Sequence, residues 1–193
     1  MTGAVLAGGL ARRMGFNKAL IEINGETLIQ RTVGTFQKVF DETMVVTNDV
    51  LLYENLGVKV VADIYKGAGS LGGIFTALFH ARGEHAFVAA CDMPRLDIDC
   101  IKRVVSSTDD CDAVIPFISG RFHPMHALYS KRCMKTMEGM IKEGNLRISD
   151  LIEKIKVRRL TIEDFAGLPI ASSVENINTK EDLARLKGAG MDG

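Results

Sequence analysis

Short apolar runs alternate along this chain with longer segments in which apolar residues recur at helical spacing. The apolar runs predict strands at Gly3–Ala7, Thr43–Thr47, Lys59–Ala62, Ala86–Ala90 and Ala113–Pro116, with weaker strands at Ala127–Tyr129 and Arg158–Leu160. The helical segments are Thr27–Gln37, Val50–Leu56, Leu71–Ala81, Asp97–Ser107, Lys131–Glu143, Arg147–Lys154 and Thr179–Lys187. Because helices separate the strands, this order predicts an α/β fold, a three-layer α/β/α sandwich with a mostly parallel sheet.

Polar or glycine residues follow four of the predicted strands at the point where each strand ends. Gly8 and Gly9 follow the first strand, and Asn48, Asp63 and Asp92 follow the second, third and fourth. Ligands of open α/β sheets bind at the carboxyl ends of the strands. These residues are therefore expected to share one ligand site at one edge of the sheet.

Length and charge limit the classes of function. The 193 residues suffice for one substantial core, which predicts a single domain over 1–187 with a flexible tail at 188–193. The 24 basic and 24 acidic residues cancel, so no general attraction to nucleic acid or to an anionic membrane is expected. No apolar run approaches the length that a bilayer requires.

The four cysteines contain no C-x-x-C pair, so neither a zinc ribbon nor a thioredoxin-like motif is indicated. The apolar stretch at the start of the chain meets glycine and arginine at once, unlike a signal peptide. Reduced cysteines in a cytoplasmic protein are the expectation.

The segment Leu6 to Lys18, LAGGLARRMGFNK, combines three glycines with three cations directly after a strand. Glycines allow sharp turns and let backbone N–H groups approach a ligand closely. Arg12, Arg13 and Lys18 suit a polyphosphate, since charge-assisted hydrogen bonds to phosphate are strong. The pattern favours a triphosphate-binding loop, and the alternative is a glycine-rich strand-to-helix connection with exposed basic residues.

Two commoner phosphate motifs do not fit this loop. A P-loop needs two glycines five positions apart and then lysine, whereas Gly9 and Gly15 are six apart and Phe16 follows. The dinucleotide fingerprint G-x-G-x-x-G fails because Gly8 and Gly9 are adjacent.

The loop resembles the signature LAGG-x-S-x-RMG-x-DK of the molybdenum cofactor guanylyltransferase family, whose members attach a nucleotide to the cofactor's pterin. Ala11 stands where the pattern has Ser, and Asn17 stands where it has Asp. Four further segments match in order, so the resemblance runs from Leu6 to Leu183. It implies a Rossmann-like nucleotidyltransferase fold.

Asp92 lies in Cys91-Asp92-Met93-Pro94, directly after a buried strand. Mg²⁺ on a nucleotide is held by one or two carboxylates together with phosphate oxygens and water, and Asp92 suits that role. The alternative is that Asp92 caps the helix beginning near Asp97 or forms an Asx turn. The string is similar to the family's metal-binding motif, which implies Asp92 as the metal ligand.

The resemblance assigns the remaining nucleotide contacts. Lys18 and Arg13 would contact the triphosphate, whereas Arg12 would be solvated. Asn48 and Asp63 match positions that contact the nucleoside. The backbone groups of Leu6 and Ala7 and the glycines Gly8, Gly9 and Gly69 complete the expected nucleotide-binding set.

The segment Gly69–Ile74 resembles the family's G-P-L-x-G segment, with Ser70 in place of Pro. The glycine-rich stretch as a whole is Gly67–Gly73. It is too rich in glycine for an ordinary helix start, so the following helix is expected from Leu71. A glycine-rich turn here would present free N–H groups to an anion or base, but the loss of Pro leaves its geometry open.

Three residues are candidates for binding the acceptor. His123 lies in a further family-like segment, and its alternative role is structural. Asn176 and Asn178 lie in a match to N-x-N-T-x-x-D/E-L. On an extended strand Asn176 and Asn178 would point the same way and serve one pocket. A strand would place the rings of His123 and His126 on opposite faces, which argues against a two-histidine metal site. The alternative for the asparagines is capping of the last helix, where Thr179 and Asp182 resemble a capping box.

The resemblance implies transfer of GMP from Mg²⁺-bound GTP to molybdopterin or its molybdenum form, with release of pyrophosphate. Cofactor-delivering and acceptor proteins are further candidate partners. Two alternatives remain open at this point: a related nucleotidyltransferase that uses CTP or a sugar-phosphate acceptor, and a non-catalytic nucleotide-binding domain.

Overall fold

The structure is a computed structural model that describes residues 1–8 and 17–188. The strands are β1 Thr2–Leu6, β2 Glu22–Ile23, β3 Glu26–Thr27, β4 Glu42–Thr47, β5 Lys59–Ala62, β6 His85–Ala90, β7 Ala113–Ile118, β8 Arg121–Phe122, β9 His126–Ser130 and β10 Val157–Leu160. The α-helices are α1 Leu28–Gln37, α2 Gly69–His80, α3 Ile98–Ser106, α4 Met134–Lys142, α5 Ile148–Lys154, α6 Ile170–Ser173 and α7 Lys180–Gly188. Short 3₁₀ helices span Lys18–Leu20, Val50–Leu56, Lys131–Cys133 and Ile162–Phe165.

Within the described residues the main sheet has the order β10-β7-β9-β6-β1-β4-β5, with β8 paired to β7. The central strands β6, β1, β4 and β5 run parallel, and β10 is parallel to β7. β9 is antiparallel to both β6 and β7. The predicted mostly parallel sheet of an α/β fold is confirmed, and all seven predicted strands are present.

The sheet buries both of its faces. Along β1 and β4, Val5 and Val45 pack into one apolar cluster, while Ala4, Met44 and Val46 pack into the other. Helices α1 and α3 cover the first face, and α2 and α4 cover the second. Because both faces are covered, the strands are continuously apolar and ligands meet the sheet at its edge.

Some predicted helices differ in form. Val50–Leu56 is a 3₁₀ helix rather than an α-helix, because Tyr53 is its one buried side chain and no apolar stripe stabilises a longer element. The predicted helix Lys131–Glu143 begins as a 3₁₀ turn, at which Ser130 Oγ accepts from the Arg132 N–H, and continues as α4. Within the described residues, none of the helices has both the length and the apolar character needed to cross a membrane.

The expectation that the glycine-rich stretch before Leu71 is not helical is wrong, because α2 begins at Gly69. Gly69 begins the helix at a φ of +58°, which glycine tolerates, and close packing accounts for glycine at residues 72 and 73. If residue 72 carried a Cβ, that atom would lie 2.8 Å from Ala68 Cβ and 3.0 Å from the Tyr65 carbonyl oxygen, which is too close. A Cβ at residue 73 would lie 3.0 Å from Leu6 Cδ1. The glycines allow the start of α2 to lie against the end of β1.

The last helix confirms the predicted capping box. Asp182 Oδ2 accepts from the Thr179 N–H at 3.0 Å, and Thr179 Oγ1 accepts from the Asp182 N–H at 3.0 Å. Of the predicted tail, Gly188 is the last residue of α7 and residues 189–193 lie outside the described residues.

Candidate active site

The ends of β1, β4, β5 and β6 surround a cleft of about 560 Å³, named here the first cleft. Its lining includes eight of the predicted site residues: Leu6, Gly8, Lys18, Asn48, Asp63, Gly69, Asp92 and Asn176. The structure therefore brings together groups that are far apart in sequence, at the sheet edge where the strand ends predict a site. Gly9, Arg12 and Arg13 lie outside the described residues.

Lys18 begins a 3₁₀ helix whose first turn is fixed by Asn17. Asn17 Oδ1 accepts from the Ala19 N–H at 3.0 Å, and Asn17 Nδ2 donates to Tyr53 Oη at 2.7 Å. Tyr53 is 1% exposed, so this second hydrogen bond ties the Lys18 turn to the core. Asn17, the residue that departs from the family pattern, keeps the capping role that an acidic residue would also fill.

The Lys18 ammonium lies at the centre of a polar cluster. Lys18 Nζ is 3.1 Å from Asp92 Oδ2, 2.6 Å from the Ile177 carbonyl oxygen and 3.1 Å from Asn178 Oδ1. These three acceptors match the three donors of an ammonium group. The Lys18 and Asp92 side chains are 18% and 16% exposed, so the pair is partly shielded from water and remains open to the cleft.

Asp92 is held by the segment of residues 176–178. Asn176 Nδ2 donates to Asp92 Oδ1 at 3.1 Å, and the Ile177 N–H donates to the Asp92 carbonyl oxygen at 2.9 Å. The alternative that Asp92 caps α3 does not hold, because Asp97 caps that helix by accepting from the Cys100 N–H at 2.8 Å. The carboxylate of Asp92 thus faces the cleft.

Asn176 and Asn178 are brought to one place, as their alternation along the chain predicts. Both contact the Lys18–Asp92 pair, from an extended segment that is not part of a strand. The capping contacts before α7 use the backbone N–H of Asn178 and leave its side chain to Lys18.

Asn48 and Asp63 form a second polar pair on the opposite wall of the first cleft. Asn48 Nδ2 donates to Asp63 Oδ2 at 3.0 Å, whereas Asp63 Oδ1 is buried and has no partner among the described residues. Burial raises the pKa of Asp63 above its ordinary value, and the hydrogen bond from Asn48 opposes that shift. A Cβ at Gly8 would lie 3.3 Å from Asp63 Oδ2, so glycine keeps this wall open.

The backbone of Leu6 and Ala7 is largely engaged within the protein. The Ala7 N–H donates to the Val46 carbonyl oxygen at 2.9 Å, and the Leu6 carbonyl oxygen accepts from the Cys91 N–H at 3.2 Å. The Ala7 N–H is therefore not available to donate to a nucleobase. Leu6 lines the cleft, and Ala7 is buried beneath it.

The turn before α2 supplies Gly67, Gly69 and Ser70 to the first cleft. Gly67 and Gly69 have φ values of +83° and +58°, which favour glycine. No side chain among the described residues caps the start of α2. Backbone N–H groups at this helix start are thus available to a ligand.

A second cleft of about 610 Å³ adjoins the first and shares Met125 and Asn176 with it. His123, Asn178, Arg95, Arg121 and Arg185 also line this second cleft. Arg95 lies 3.8 Å from Glu175 and Arg185 lies 2.9 Å from Asp182. Among the described residues, no carboxylate is within ion-pair distance of Arg121.

His123 precedes β9 instead of lying in a strand, so the predicted alternation of the two rings does not apply. His123 Nε2 is 3.3 Å from the Ile118 carbonyl oxygen, and His126 Nε2 is 3.1 Å from Ser173 Oγ. Burial lowers the pKa of both rings, that of His126 to about 4. Both rings are therefore neutral near pH 7, and they have separate partners.

A family model described as the MobA-like NTP transferase domain matches residues 3–159. The chain belongs to this family. Molybdenum cofactor guanylyltransferase of Desulfosudis oleivorans is 35% identical over 192 residues, which cover 98% of this chain and 95% of that protein. This MobA-like NTP transferase is accordingly a nucleotidyltransferase, as the resemblance of the glycine-rich loop implies.

Solved structures agree with this assignment. Molybdopterin-guanine dinucleotide biosynthesis protein A from Archaeoglobus fulgidus superposes on this MobA-like NTP transferase with a TM-score of 0.87 and 29% identity, over 100% of both chains. A 4-diphosphocytidyl-2C-methyl-D-erythritol synthase from Anaerococcus prevotii has a TM-score of 0.74 at 16% identity, over 98% of this chain and 95% of that one. This second likeness concerns the fold alone.

Three features of the site are not indicated by the sequence. They are the Asn17–Tyr53 hydrogen bond, the Ile177 carbonyl oxygen beside Lys18, and Arg121 in the second cleft. The first two depend on tertiary packing, and Arg121 lies in a hairpin that the sequence pattern does not predict.

Proposed function

We propose that this chain transfers GMP from GTP to molybdopterin or its molybdenum form and releases pyrophosphate. Family membership and the names of its relatives support the reaction class and the substrates. The observation that carries the proposal is the Lys18–Asp92 pair, which lines the first cleft and is hydrogen-bonded to Asn176 and Asn178 of the second. A nucleotide in one cleft and an acceptor in the other would meet at this pair.

The reaction needs little covalent chemistry from the protein. An oxygen of the acceptor's terminal phosphate attacks the α-phosphorus of GTP and forms a P–O bond. The bond between the α-phosphorus and the bridging oxygen breaks, and its electrons leave with pyrophosphate. The protein positions the two phosphates and neutralises the growing negative charge, the task proposed for Lys18, Arg13 and the backbone of Gly8 and Gly9.

Asp92 is proposed to hold Mg²⁺. The described residues contain no cluster of three or more His, Cys, Asp or Glu side chains able to hold a metal ion. One carboxylate facing a triphosphate cleft fits an ion whose other ligands are phosphate oxygens and water. When bound, Mg²⁺ would supply further neutralisation of phosphate charge.

The nucleoside is proposed to lie against Asn48, Asp63, Leu6 and Gly69. Because Asn48 Nδ2 is used by Asp63, its Oδ1 is left to accept from a ligand. Guanine has adjacent donors at N1 and N2, which cytosine lacks. A wall of acceptors would therefore favour guanine, since a wrong base leaves buried polar groups unpaired.

Calorimetry is expected to show tighter binding of GTP than of CTP in the presence of Mg²⁺. The acceptor side of Asn48 and the carboxylate of Asp63 would satisfy the donors of guanine. Binding measured without acceptor isolates the first cleft from the second. Tighter binding of CTP would refute the guanylyl assignment and leave the triphosphate site in place.

The second cleft is proposed to bind the acceptor through His123, Asn176 and Asn178. Their side chains line the cleft beside the Lys18–Asp92 pair. Arg121 adds a cation without a carboxylate partner among the described residues, which suits an anionic acceptor. The neutral ring of His123 would bind as a hydrogen-bonding group.

Arg121→Gln is expected to raise the KM for the pterin acceptor about tenfold, the loss typical of one charge-assisted hydrogen bond. GTP affinity should stay unchanged because Arg121 does not line the first cleft. Initial rates of pyrophosphate release at varied acceptor concentration measure this KM. Arg82→Gln is the matched control, since Arg82 is 86% exposed and pairs with Glu42 at the opposite end of the sheet; an equal rise in that variant would contradict the acceptor assignment.

A non-catalytic nucleotide-binding role is disfavoured by family membership.

A sugar-phosphate acceptor is tested by supplying a sugar phosphate in place of the pterin and measuring pyrophosphate release. A cytoplasmic location and delivery of the product to acceptor proteins stay predictions.

A further inference from the structure

The turn of residues 63–70, named here the 63–70 turn, forms one wall of the first cleft through Asp63, Gly67, Gly69 and Ser70. Its two glycines, Gly67 and Gly69, have positive φ, and they have no side chains that could anchor the turn. Ser70 stands where the family-like segment has Pro, so the chain lacks that restriction on φ as well. Another contact must fix the turn if it is to select a base.

Tyr65 lies in the middle of the 63–70 turn and points away from the cleft. Its hydroxyl donates to Glu138 Oε1 on α4 at 2.9 Å, and its ring packs edge-on against Phe75 of α2 at 5.1 Å. Glu138 is held in turn by Lys142 at 2.8 Å. The turn is thereby tied to a helix that contributes nothing to the cleft lining.

The backbone of the turn is ordered around the same residue. The Tyr65 carbonyl oxygen accepts from the Ala68 N–H at 3.1 Å, and the Ile64 N–H donates to the buried Thr76 Oγ1 at 3.0 Å. A shift of Tyr65 would therefore move Ala68 and the glycines on either side of it. The Tyr65 hydroxyl links this backbone to α4 through Glu138.

We propose that Tyr65, held by Glu138, is a positioning residue for base selection and takes the place of the missing Pro at position 70. This inference rests on the proposed nucleotide role of the first cleft. Hydrogen bonds to a carboxylate are stronger than neutral ones, so this bond is suited to holding the 63–70 turn. Lys18 and Gly8, which are proposed to contact the triphosphate, are not part of the 63–70 turn.

The test is Tyr65→Phe, which removes the hydroxyl and keeps the ring on Phe75. Binding of GTP and of CTP is measured by calorimetry with Mg²⁺ and without acceptor. We expect GTP binding to weaken about fivefold, the loss typical of one hydrogen bond, while CTP binding changes much less. The GTP to CTP affinity ratio should fall accordingly, and thermal unfolding should show a folded protein.

Two further variants sharpen the test. Adding Ser70→Pro to Tyr65→Phe should restore the affinity ratio, because proline fixes the turn by another route. Glu143→Gln is the control, since Glu143 is exposed at the end of α4 and its side chain makes no hydrogen bond or ion pair among the described residues; its affinity ratio should equal that of the wild type. An unchanged ratio in Tyr65→Phe, an equal loss for both nucleotides, or failure of Ser70→Pro to restore the ratio would overturn the proposal.

Failure of the proposed guanylyl transfer would give a different result, in the wild type itself. If the wild type preferred CTP, the guanylyl assignment would fall. The role of Tyr65 would then be read from the ratio of the preferred nucleotide to the other, with the same expected loss.

Discussion

Asp92→Asn is expected to abolish turnover, with a loss of at least roughly three powers of ten, while the protein stays folded. The change keeps the volume of the side chain and removes the one charge proposed to hold Mg²⁺. The measurement is pyrophosphate release from GTP with acceptor, over a range of Mg²⁺ concentrations. Circular dichroism and the thermal midpoint report on the fold.

The matched control for this variant is Asp99→Asn. Asp99 also pairs with a lysine, Lys102 at 3.6 Å, but the pair is exposed and lies outside both clefts. Exposed pairs contribute little to stability, so this control should keep wild-type activity. Near-normal activity of Asp92→Asn at limiting Mg²⁺ would show that the metal assignment is wrong.

Lys18→Ala is expected to lower the rate by roughly two to three powers of ten, the cost of removing one preorganised electrostatic group. In the structure the ammonium is fixed by Asp92, Ile177 and Asn178, so it needs little reorganisation to face a triphosphate. Single-turnover rates at saturating GTP separate this effect on chemistry from an effect on binding.

Lys102→Ala is the corresponding control, because Lys102 is 60% exposed and faces Asp99. Its rate should equal that of the wild type. Should Lys18→Ala raise only the KM for GTP and leave the single-turnover rate unchanged, Lys18 would bind the ground state and the proposed role in charge neutralisation would be contradicted.

The location of the candidate site could be predicted from the sequence because the ends of the apolar strands can be recognised there. Asn48, Asp63 and Asp92 each follow an apolar strand, and parallel strands place their ends at one edge. The pairing of these groups could not be predicted. Lys18 contacts Asp92 across 74 residues and Asn178 across 160, and nothing local in the sequence specifies either distance.

Two features that the sequence analysis did not predict, the β2–β3 hairpin and the direction of β9, nevertheless have sequence signals. Asn24 and Gly25, with φ of +55° and +80°, form the turn between β2 and β3, and Asn-Gly is a strong hairpin signal. The short link between β7 and β9 also excludes a parallel crossover, which needs a dozen residues or more. The antiparallel direction of β9 was therefore predictable from the length of that link.

The start of α2 was mispredicted for a different reason. Local propensity disfavours a helix with glycines at residues 69, 72 and 73, and the sequence offers no cap. Gly69 starts the helix at a φ of +58°, which glycine tolerates, and glycine at residues 72 and 73 leaves room for Tyr65, Ala68 and Leu6 beside the helix. Such packing depends on residues that become neighbours only in the folded protein, such as Leu6 and Gly73, and the sequence pattern does not show it.

The central claim is tested most directly by identifying the product formed from GTP, Mg²⁺ and molybdopterin. Mass spectrometry of the pterin product, together with a pyrophosphate assay, follows both halves of the reaction at once. We expect the pterin to gain one GMP for each pyrophosphate released, with little product when CTP replaces GTP. A pterin that gains CMP instead, or pyrophosphate release that does not require the pterin, would contradict the account.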